Sequence, residues 1–235
     1  LKSDCLDLPE KVYTKRSVSL TSEQVKAYTE MKKAAITFFD ENVMTAASVL
    51  TQIIRLHQII CGHVKTDDGE VKSIKSNRVK ELLEVLEETN GKVIIWAVYR
   101  YDIQEIEKTL GEKYGKESVA TYYGDTKDNL RQSIVDRFMD ANDPLRFFVG
   151  NPKTGGYGLT LTSSHTVVYY SNDYSLEVRL QSEDRAHRIG QTSKVTYVDL
   201  MADHTIDEKI VKALNAKIDL AIQVMGEDPK KILFG

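Results

Sequence analysis

The chain has 235 residues, 41% of them apolar and 29% charged, with 13 Gly and 4 Pro. This excludes a disordered tail, which lacks apolar residues, and a fibrous repeat, which shows a Gly or Pro excess; a chain this long buries roughly 70% of its unfolded surface. Thirty-two basic against 35 acidic residues leave a net charge of −3, so any nucleic-acid groove is local rather than global.

The longest apolar run, Val93 to Tyr99, falls far short of the ~20 residues a membrane span needs. No charged-then-apolar leader opens the chain, so neither secretion nor a membrane partner is expected. The first residue is Leu1 rather than Met, which reads as a piece of a longer protein. Cys5 and Cys61 form no CxxC; they read as free thiols in a reducing, intracellular compartment. Cys61-Gly62-His63 comes nearest to a metal-ligand set but lacks zinc spacing, so no metal site is expected.

In chain order, Leu8-Pro9-Glu10 is extended by the pre-proline restriction. Thr21-Ser22-Glu23-Gln24 has a capping-box pattern, and Val25, Tyr28, Ala35 and Phe39 follow near helical spacing. A second helix is predicted from about Val43 to Ile60, with Val43, Ala47, Leu50, Ile54 and Ile60 on one face and Gly62 as its stop. Asp67-Asp68-Gly69 between Val64 and Val71 predicts a hairpin turn. Ser76 caps a helix carrying Val79, Leu82, Leu83 and Leu86 that ends at Asn90-Gly91. Lys92 to Val98 is a β-branched run suited to a strand covered on both faces. A helix over Asp102 to Leu110 stops at Gly111, Ser118 to Tyr122 is a strand, and Thr126 to Met139 a helix. Leu145 to Val149, Thr166 to Tyr170 and Lys194 to Met201 are further strands, and Ser175–Ile189 and Thr205–Val224 further helices. Strands alternating with helices predict an α/β fold, a mostly parallel sheet with helices on both faces. Residues 1–75 read as a linker and helical protrusion, 76–225 as the α/β unit and 226–235 as a tail.

In such a sheet, ligands bind beyond the carboxyl ends of the strands. After Val149 the chain reads Gly150-Asn151-Pro152-Lys153-Thr154-Gly155-Gly156-Tyr157-Gly158-Leu159-Thr160. Such glycines let backbone N–H groups approach an anion, though they equally suit a turn needing positive φ. A dinucleotide fingerprint is a further reading, but Leu161 stands at the third glycine position and little room remains for a crossover helix before Thr166. No Walker-type P-loop is present; Gly111 to Glu117 is one residue short and ends on Glu where Ser or Thr belongs. Asp207-Glu208 could mimic a Walker B acid, but at a helix start the dipole accounts for it. On a helix, Gln181, Arg185 and Arg188 line one stripe, able to converge on a polyphosphate. The same stripe also fits a solvated face in which Asp184 pairs with Arg188.

Gly155-Gly156-Tyr157-Gly158-Leu159-Thr160-Leu161-Thr162, together with Gln181 and Asp184-Arg185-Ala186-His187-Arg188-Ile189-Gly190-Gln191, resembles the last two helicase motifs of the Swi/Snf-type ATPases, double-stranded-DNA translocases of helicase superfamily two. Lys92 to Arg100 is similar to the family's fourth motif, Tyr122-Tyr123-Gly124-Asp125 with Arg131 and Phe138 to the stretch after it, and Leu8 to Tyr28 to the bridge out of the first lobe. The short insert between Cys61 and Ser76 resembles the compact bacterial or phage members.

The resemblance implies a RecA-like C-terminal lobe. ATP with Mg²⁺ would be held mainly by an N-terminal RecA-like lobe of the same protein, and this chain alone would be inactive. Arg185 and Arg188 would be the arginine fingers, with Gln181, Asp184, Gly156 and Gly158 beside the nucleotide. Tyr99, Arg100, Lys153, Thr154 and Thr160 would face the backbone of double-stranded DNA, in the cytoplasm, nucleoid or nucleus. Two departures stand out: Asp173-Tyr174-Ser175-Leu176 replaces the family's Asp-Trp-Asn-Pro, and Asn151-Pro152 replaces a Ser-Thr pair. The rival readings are a DNA- or partner-binding module without ATP turnover and a nucleotide-cofactor enzyme.

Overall fold

A computed structural model describes residues 8–34, 36–39, 42–45, 48–154 and 159–225, with side chains at 8–34, 48–154 and 159–217. The strands are β1 (Lys11–Ser17), β2 (Ile36–Phe39), β3 (Asn42–Thr45), β4 (His63–Lys65), β5 (Val71–Ser73), β6 (Lys92–Trp96), β7 (Val119–Tyr122), β8 (Phe147–Gly150), β9 (Ser164–Tyr169) and β10 (Val195–Met201). The helices are α1 (Ser22–Ala34), α2 (Val49–Cys61), α3 (Arg78–Glu87), α4 (Arg100–Tyr114), α5 (Asp128–Met139), α6 (Leu176–Asp184) and α7 (Ile206–Met225).

Six strands form one sheet in the order β1-β10-β9-β6-β8-β7, parallel at every pairing. Period two divides the central strand between two cores. Val93 and Ile95 pack with Leu82, Leu86, Ile103 and Leu110 on one face, while Ile94 and Trp96 pack with Phe138, Phe148 and Tyr169 on the other. This is the RecA-like α/β architecture, with the central strands β6 and β8 buried and the edge strand β1 largely exposed. Ala27, Met31, Leu56, Ile59 and Ile60 of the protrusion form a third core with Ile206, Ile210 and Leu214.

The capping box is reciprocal: Gln24 N–H donates to Thr21 Oγ1 at 3.2 Å, and Thr21 N–H to Gln24 Oε1 at 3.1 Å. Gln24 Nε2 also donates to the carbonyls of Ile59 and Ile60, at 2.8 and 3.2 Å, capping the end of α2 from across the protrusion. The predicted stop at Gly62 and the hairpin around Gly69 both form, each glycine at positive φ.

Five expectations change. The lead-in is more than a linker, because β1 pairs with β10 over its whole length as the sheet's edge strand. The first two predicted helices are shorter: Ile36–Phe39 and Asn42–Thr45 pair as antiparallel strands, and α2 begins after Ser48, whose Oγ accepts from Thr51 N–H. Leu50 and Ile54 are exposed, so the buried face is set instead by Leu56, Ile59 and Ile60; Ala35 and Ala47 lie outside the described residues. Gly111 does not stop α4, which runs to Tyr114 and ends at Gly115, at φ 94°. The predicted helix to Ile189 ends at Asp184. Residues 226–235 and Cys5 lie outside the described residues.

A buried charge cluster joins the protrusion to the sheet. Arg78 at the start of α3 is fully buried and donates to the carbonyls of Ile60 (3.2 Å), Tyr170 (2.5 Å) and Leu200 (3.3 Å) and to the Asp207 carboxylate. His57 of α2 faces Asp207 at 3.5 Å, and its Nδ1 lies 3.0 Å from the Tyr99 hydroxyl. The acidic residue at the start of α7 is thus a buried ion-pair partner as well as a helix-dipole complement.

Gly150 sits where β8 passes under Trp96. A Cβ there would lie 2.8 Å from the Tyr122 carbonyl and 2.9 Å from the Trp96 ring, neither of which can yield in a packed core. Gly150→Ala is expected to cost about 1–3 kcal/mol. Thermal melting checks this, with a fall of about 2–4 °C per kcal/mol.

Candidate functional site

The carboxyl ends of β6, β8 and β9 lie side by side, so the loops after Trp96, Gly150 and Tyr169 emerge at one edge. Asn151 organises that edge. Its Nδ2 donates to the Val98 carbonyl at 2.8 Å, its Oδ1 accepts from Lys153 N–H at 2.9 Å, and its backbone carbonyl accepts from Thr154 N–H at 3.0 Å. The departure from the family's Ser-Thr pair therefore has a local role: a side-chain amide ties two neighbouring loops.

The expected backbone-facing residues divide. Arg100 is exposed and pairs with Asp125 at 2.7 Å; Lys153 is exposed and pairs with Asp173 at 2.7 Å. Thr154 lies in the turn after Asn151, and Thr160 accepts from Arg188. Tyr99 is turned inward, its ring tilted against His57 at 5.4 Å and edge-on to His63 at 4.9 Å. Burial pushes its hydroxyl well above the usual tyrosine range. Tyr174 packs edge-on to His57, and Ser175 caps α6 by accepting from Val178 N–H.

The segment after α6 is a tight turn, not a helix, so Gln181, Arg185 and Arg188 do not form the predicted stripe. Glu183 C=O accepts from both Ala186 N–H (3.2 Å) and His187 N–H (3.1 Å), and Arg185 C=O accepts from Leu161 N–H at 2.8 Å. Gln191 closes the turn, its Nε2 donating to the carbonyls of Thr162, Ser164 and Ala186 at 3.0–3.2 Å. The two N–H groups of one amide, shared among three carbonyls, outweigh the helix propensity of the sequence.

The two arginines consequently differ. Arg188 is exposed, and its Nη1 donates to Thr160 Oγ1 at 3.1 Å. Arg185 is 6% exposed, lies over the Trp96 ring at 5.5 Å and reaches the Pro152 carbonyl at 3.4 Å. Burial pulls its guanidinium below the usual arginine range, with Tyr169 and Tyr122 opposing. Gln181 Nε2 donates to Glu177 at 3.1 Å, and Asp184 lies 4.0 Å from Lys11 rather than pairing with Arg188. Gly156 and Gly158 lie outside the described residues.

Behind the turn, the buried Glu183 carboxylate accepts from Lys11 Nζ (2.7 Å), Tyr13 OH (2.8 Å) and Arg179 Nε (2.9 Å). Arg179 Nη1 also donates to Asn172 and Asp199, each at 2.6 Å. Burial pushes the Glu183 carboxyl up, but Lys11 and Arg179 outweigh it and hold it at about 2. Sequence reasoning gave Lys11, Tyr13, Arg179, Asn151 and Gln191 no such role, because each also needs a partner 20 or more positions away in the chain. Among the described residues, no group of three or more His, Cys, Asp or Glu could hold a metal ion.

The family model for the helicase conserved C-terminal domain matches residues 74–190. The chain is similar to the ATP-dependent helicase fft2 of Schizosaccharomyces pombe, 31% identical over 185 residues, covering 78% of this chain and 14% of that protein. It is also similar to the putative ATP-dependent helicase/translocase YwqA of Bacillus subtilis, 29% identical over 229 residues, covering 94% of this chain and 24% of that protein. The chain thus spans a quarter or less of both relatives. Its fold matches the Sulfolobus solfataricus SWI2/SNF2 ATPase core in complex with dsDNA, with a TM-score of 0.67 at 24% identity over 96% of this chain and 48% of that one. With the six-stranded parallel order, the Gln191-clamped turn and these matches in place, the chain belongs to the helicase C-terminal domain family, as the C-terminal RecA-like lobe of the Swi/Snf type.

Proposed function

We propose that this chain is the second motor lobe of an ATP-dependent translocase on double-stranded DNA, and that Arg188 is the arginine it offers across the interlobe cleft. The observation that carries the reading is the exposed guanidinium of Arg188, held by the Thr160 hydroxyl beside the loop that leads out of β8. Phosphoryl transfer needs positive charge delivered to the oxygens of the transferring group, and an arginine's planar fork suits them. The donor set on this edge is cationic and hydroxylic, which fits a polyphosphate. Bound ATP with Mg²⁺ would supply the transferring group and its counter-charge from the other lobe; Arg188 would orient and neutralise, with Gln181 beside it. Arg100 and Lys153, once Asp125 and Asp173 release them, would meet the DNA backbone together with Thr154. The chain alone would not turn over ATP.

The burial of Arg185 favours a second reading, a partner- or DNA-binding module without turnover, because only one of the two arginines is presented in this conformation. ATP hydrolysis by the intact protein, with and without duplex, separates the two. The motor reading expects duplex-stimulated hydrolysis, together with duplex binding that ignores base sequence and weakens steeply with salt. Binding without hydrolysis establishes the module; salt-insensitive or site-specific binding rejects the translocase.

A further inference from the structure

We propose that Glu183 is a positioning residue that registers the arginine-bearing turn to the edge strand β1 through Lys11 and Tyr13. The proposal rests on the arginine reading above and deepens it.

Glu183 is the last but one residue of α6, two positions before Arg185. Both of its ends are held. Its backbone carbonyl accepts from Ala186 N–H, His187 N–H and Tyr197 OH, the last at 3.0 Å, and so forms the pivot of the turn. Its carboxylate, with only 2% of the side chain exposed, is gripped by Lys11 and Tyr13 from β1 and by Arg179 from its own helix. A second tie lies just beyond the pivot: His187 Nε2 is 2.6 Å from the Pro9 carbonyl, so the imidazole donates to the segment leading into β1. The lead-in therefore holds the turn on both sides of Arg185, and His187 is the immediate neighbour of Arg188.

These contacts are not needed to keep β1 in the sheet. Seven residues of β1 are already in register with β10, and Tyr13 stacks on Tyr197 at 5.2 Å. Taking a lysine and a glutamate out of water is a poor route to stability, since desolvation offsets most of their attraction. What the buried pair supplies is direction: a charge-assisted bond of fixed length between the lead-in strand and the pivot of the turn. Phosphoryl transfer is sensitive to that direction, because displacement of a charged group by about 1 Å can cost as much as 10²-fold in rate. Strand β1 is thus a strap through which movement of the lead-in would be felt at Arg188.

The test uses the intact two-lobe protein, ATP and a mixed-sequence duplex. Lys11→Met is expected to lower duplex-stimulated kcat by about ten-fold while KM for ATP stays within about two-fold. Lys11→Arg, which keeps the charge and the reach, is expected to restore kcat to within about three-fold of the parent. Adding Glu183→Gln to Lys11→Met is expected to lower kcat by less than the product of the two single effects, since both remove the Lys11–Glu183 bond. Unchanged kcat in Lys11→Met, a change confined to KM, or failure of Lys11→Arg to restore kcat each overturns the proposal. Arg188→Ala is measured in parallel. If it loses turnover while Lys11→Met keeps it, only the strap falls; if Arg188→Ala keeps full turnover, the arginine reading falls and the strap with it.

Discussion

Replacing Arg188 with alanine in the intact protein is expected to lower duplex-stimulated ATP turnover by about 10³-fold or more. That corresponds to roughly 4–7 kcal/mol of barrier. The size follows from where the side chain stands. Arg188 is exposed at the turn after α6, and its hydrogen bond runs to the hydroxyl of Thr160. A solvated guanidinium with one neutral partner contributes little to folding, so stability is expected to stay within about 0.5 kcal/mol and the melting temperature within about 1–2 °C. A large kinetic loss beside a negligible thermal one is the signature of a group that meets its true partner outside the lobe. Arg188→Lys is expected to recover only a fraction, because an ammonium lacks the bidentate fork. A single-turnover assay with saturating duplex, read beside a melting curve, decides the matter. Retained turnover with a lowered melting temperature makes Arg188 a structural residue and removes the observation on which the motor reading stands. Arg185→Ala is the informative control: this residue packs over Trp96 in the core, so part of its loss is expected to appear as stability.

Arg78→Met is expected to destabilise the fold by about 3–5 kcal/mol, the cost of leaving a buried charge uncompensated. The residue is fully buried, and its removal strands the Asp207 carboxylate together with the carbonyls of Ile60, Tyr170 and Leu200. These groups come from α2, from the segment after β9, from β10 and from α7, so one side chain locks the protrusion onto the sheet. Urea unfolding should show a lower midpoint at unchanged m-value. Replacing both partners, with Arg78→Met and Asp207→Leu, is expected to recover much of the loss, since neither charge is then buried alone. The acid limb gives an independent check. Burial pushes the Asp207 carboxyl up, but the Arg78 charge and His57 outweigh it and hold it at about 2. A carboxyl depressed on folding contributes stability that is present above the ordinary range near pH 4 and is lost as pH falls toward 2. Glu183, also held at about 2 by Lys11 and Arg179, adds to the same limb. In Arg78→Met the Asp207 carboxyl loses its cation, so the acid-induced loss between about pH 4 and pH 2 is expected to shrink. An unchanged midpoint and an unchanged acid limb would show that the pair does not join protrusion to sheet.

Both expectations concern residues that differ in how far the sequence reveals them. Arg188 is singled out by a local string, Asp184 to Gln191, whose resemblance is carried by neighbouring residues. Arg78 is not, because nothing adjacent to it says that Asp207, more than a hundred positions later, would share its burial. The same contrast runs through the fold. The β-branched run of β6, the capping box at Thr21, the stop at Gly62 and the turn at Gly69 are local signals, and each formed as read. The helix predicted through Ile189 failed because Gln191 and Leu161 offer the Ala186 and Arg185 carbonyls other partners than the next helical turn. Gly111 was misread as a stop because a glycine is tolerated inside a helix, whereas Gly115 meets the positive φ that ends one.

By itself, the sequence determined the alternation of strand and helix and the family to which the chain belongs. Those properties reside in period, capping and short motifs, all encoded within a few residues of one another. Only the tertiary structure decided that the lead-in is an edge strand, that Lys11 and Tyr13 grip Glu183, and that one arginine is presented while the other lies against Trp96. These outcomes depend on which buried polar groups can satisfy each other across the sheet. That competition is settled by distance in space, to which separation along the chain is no guide.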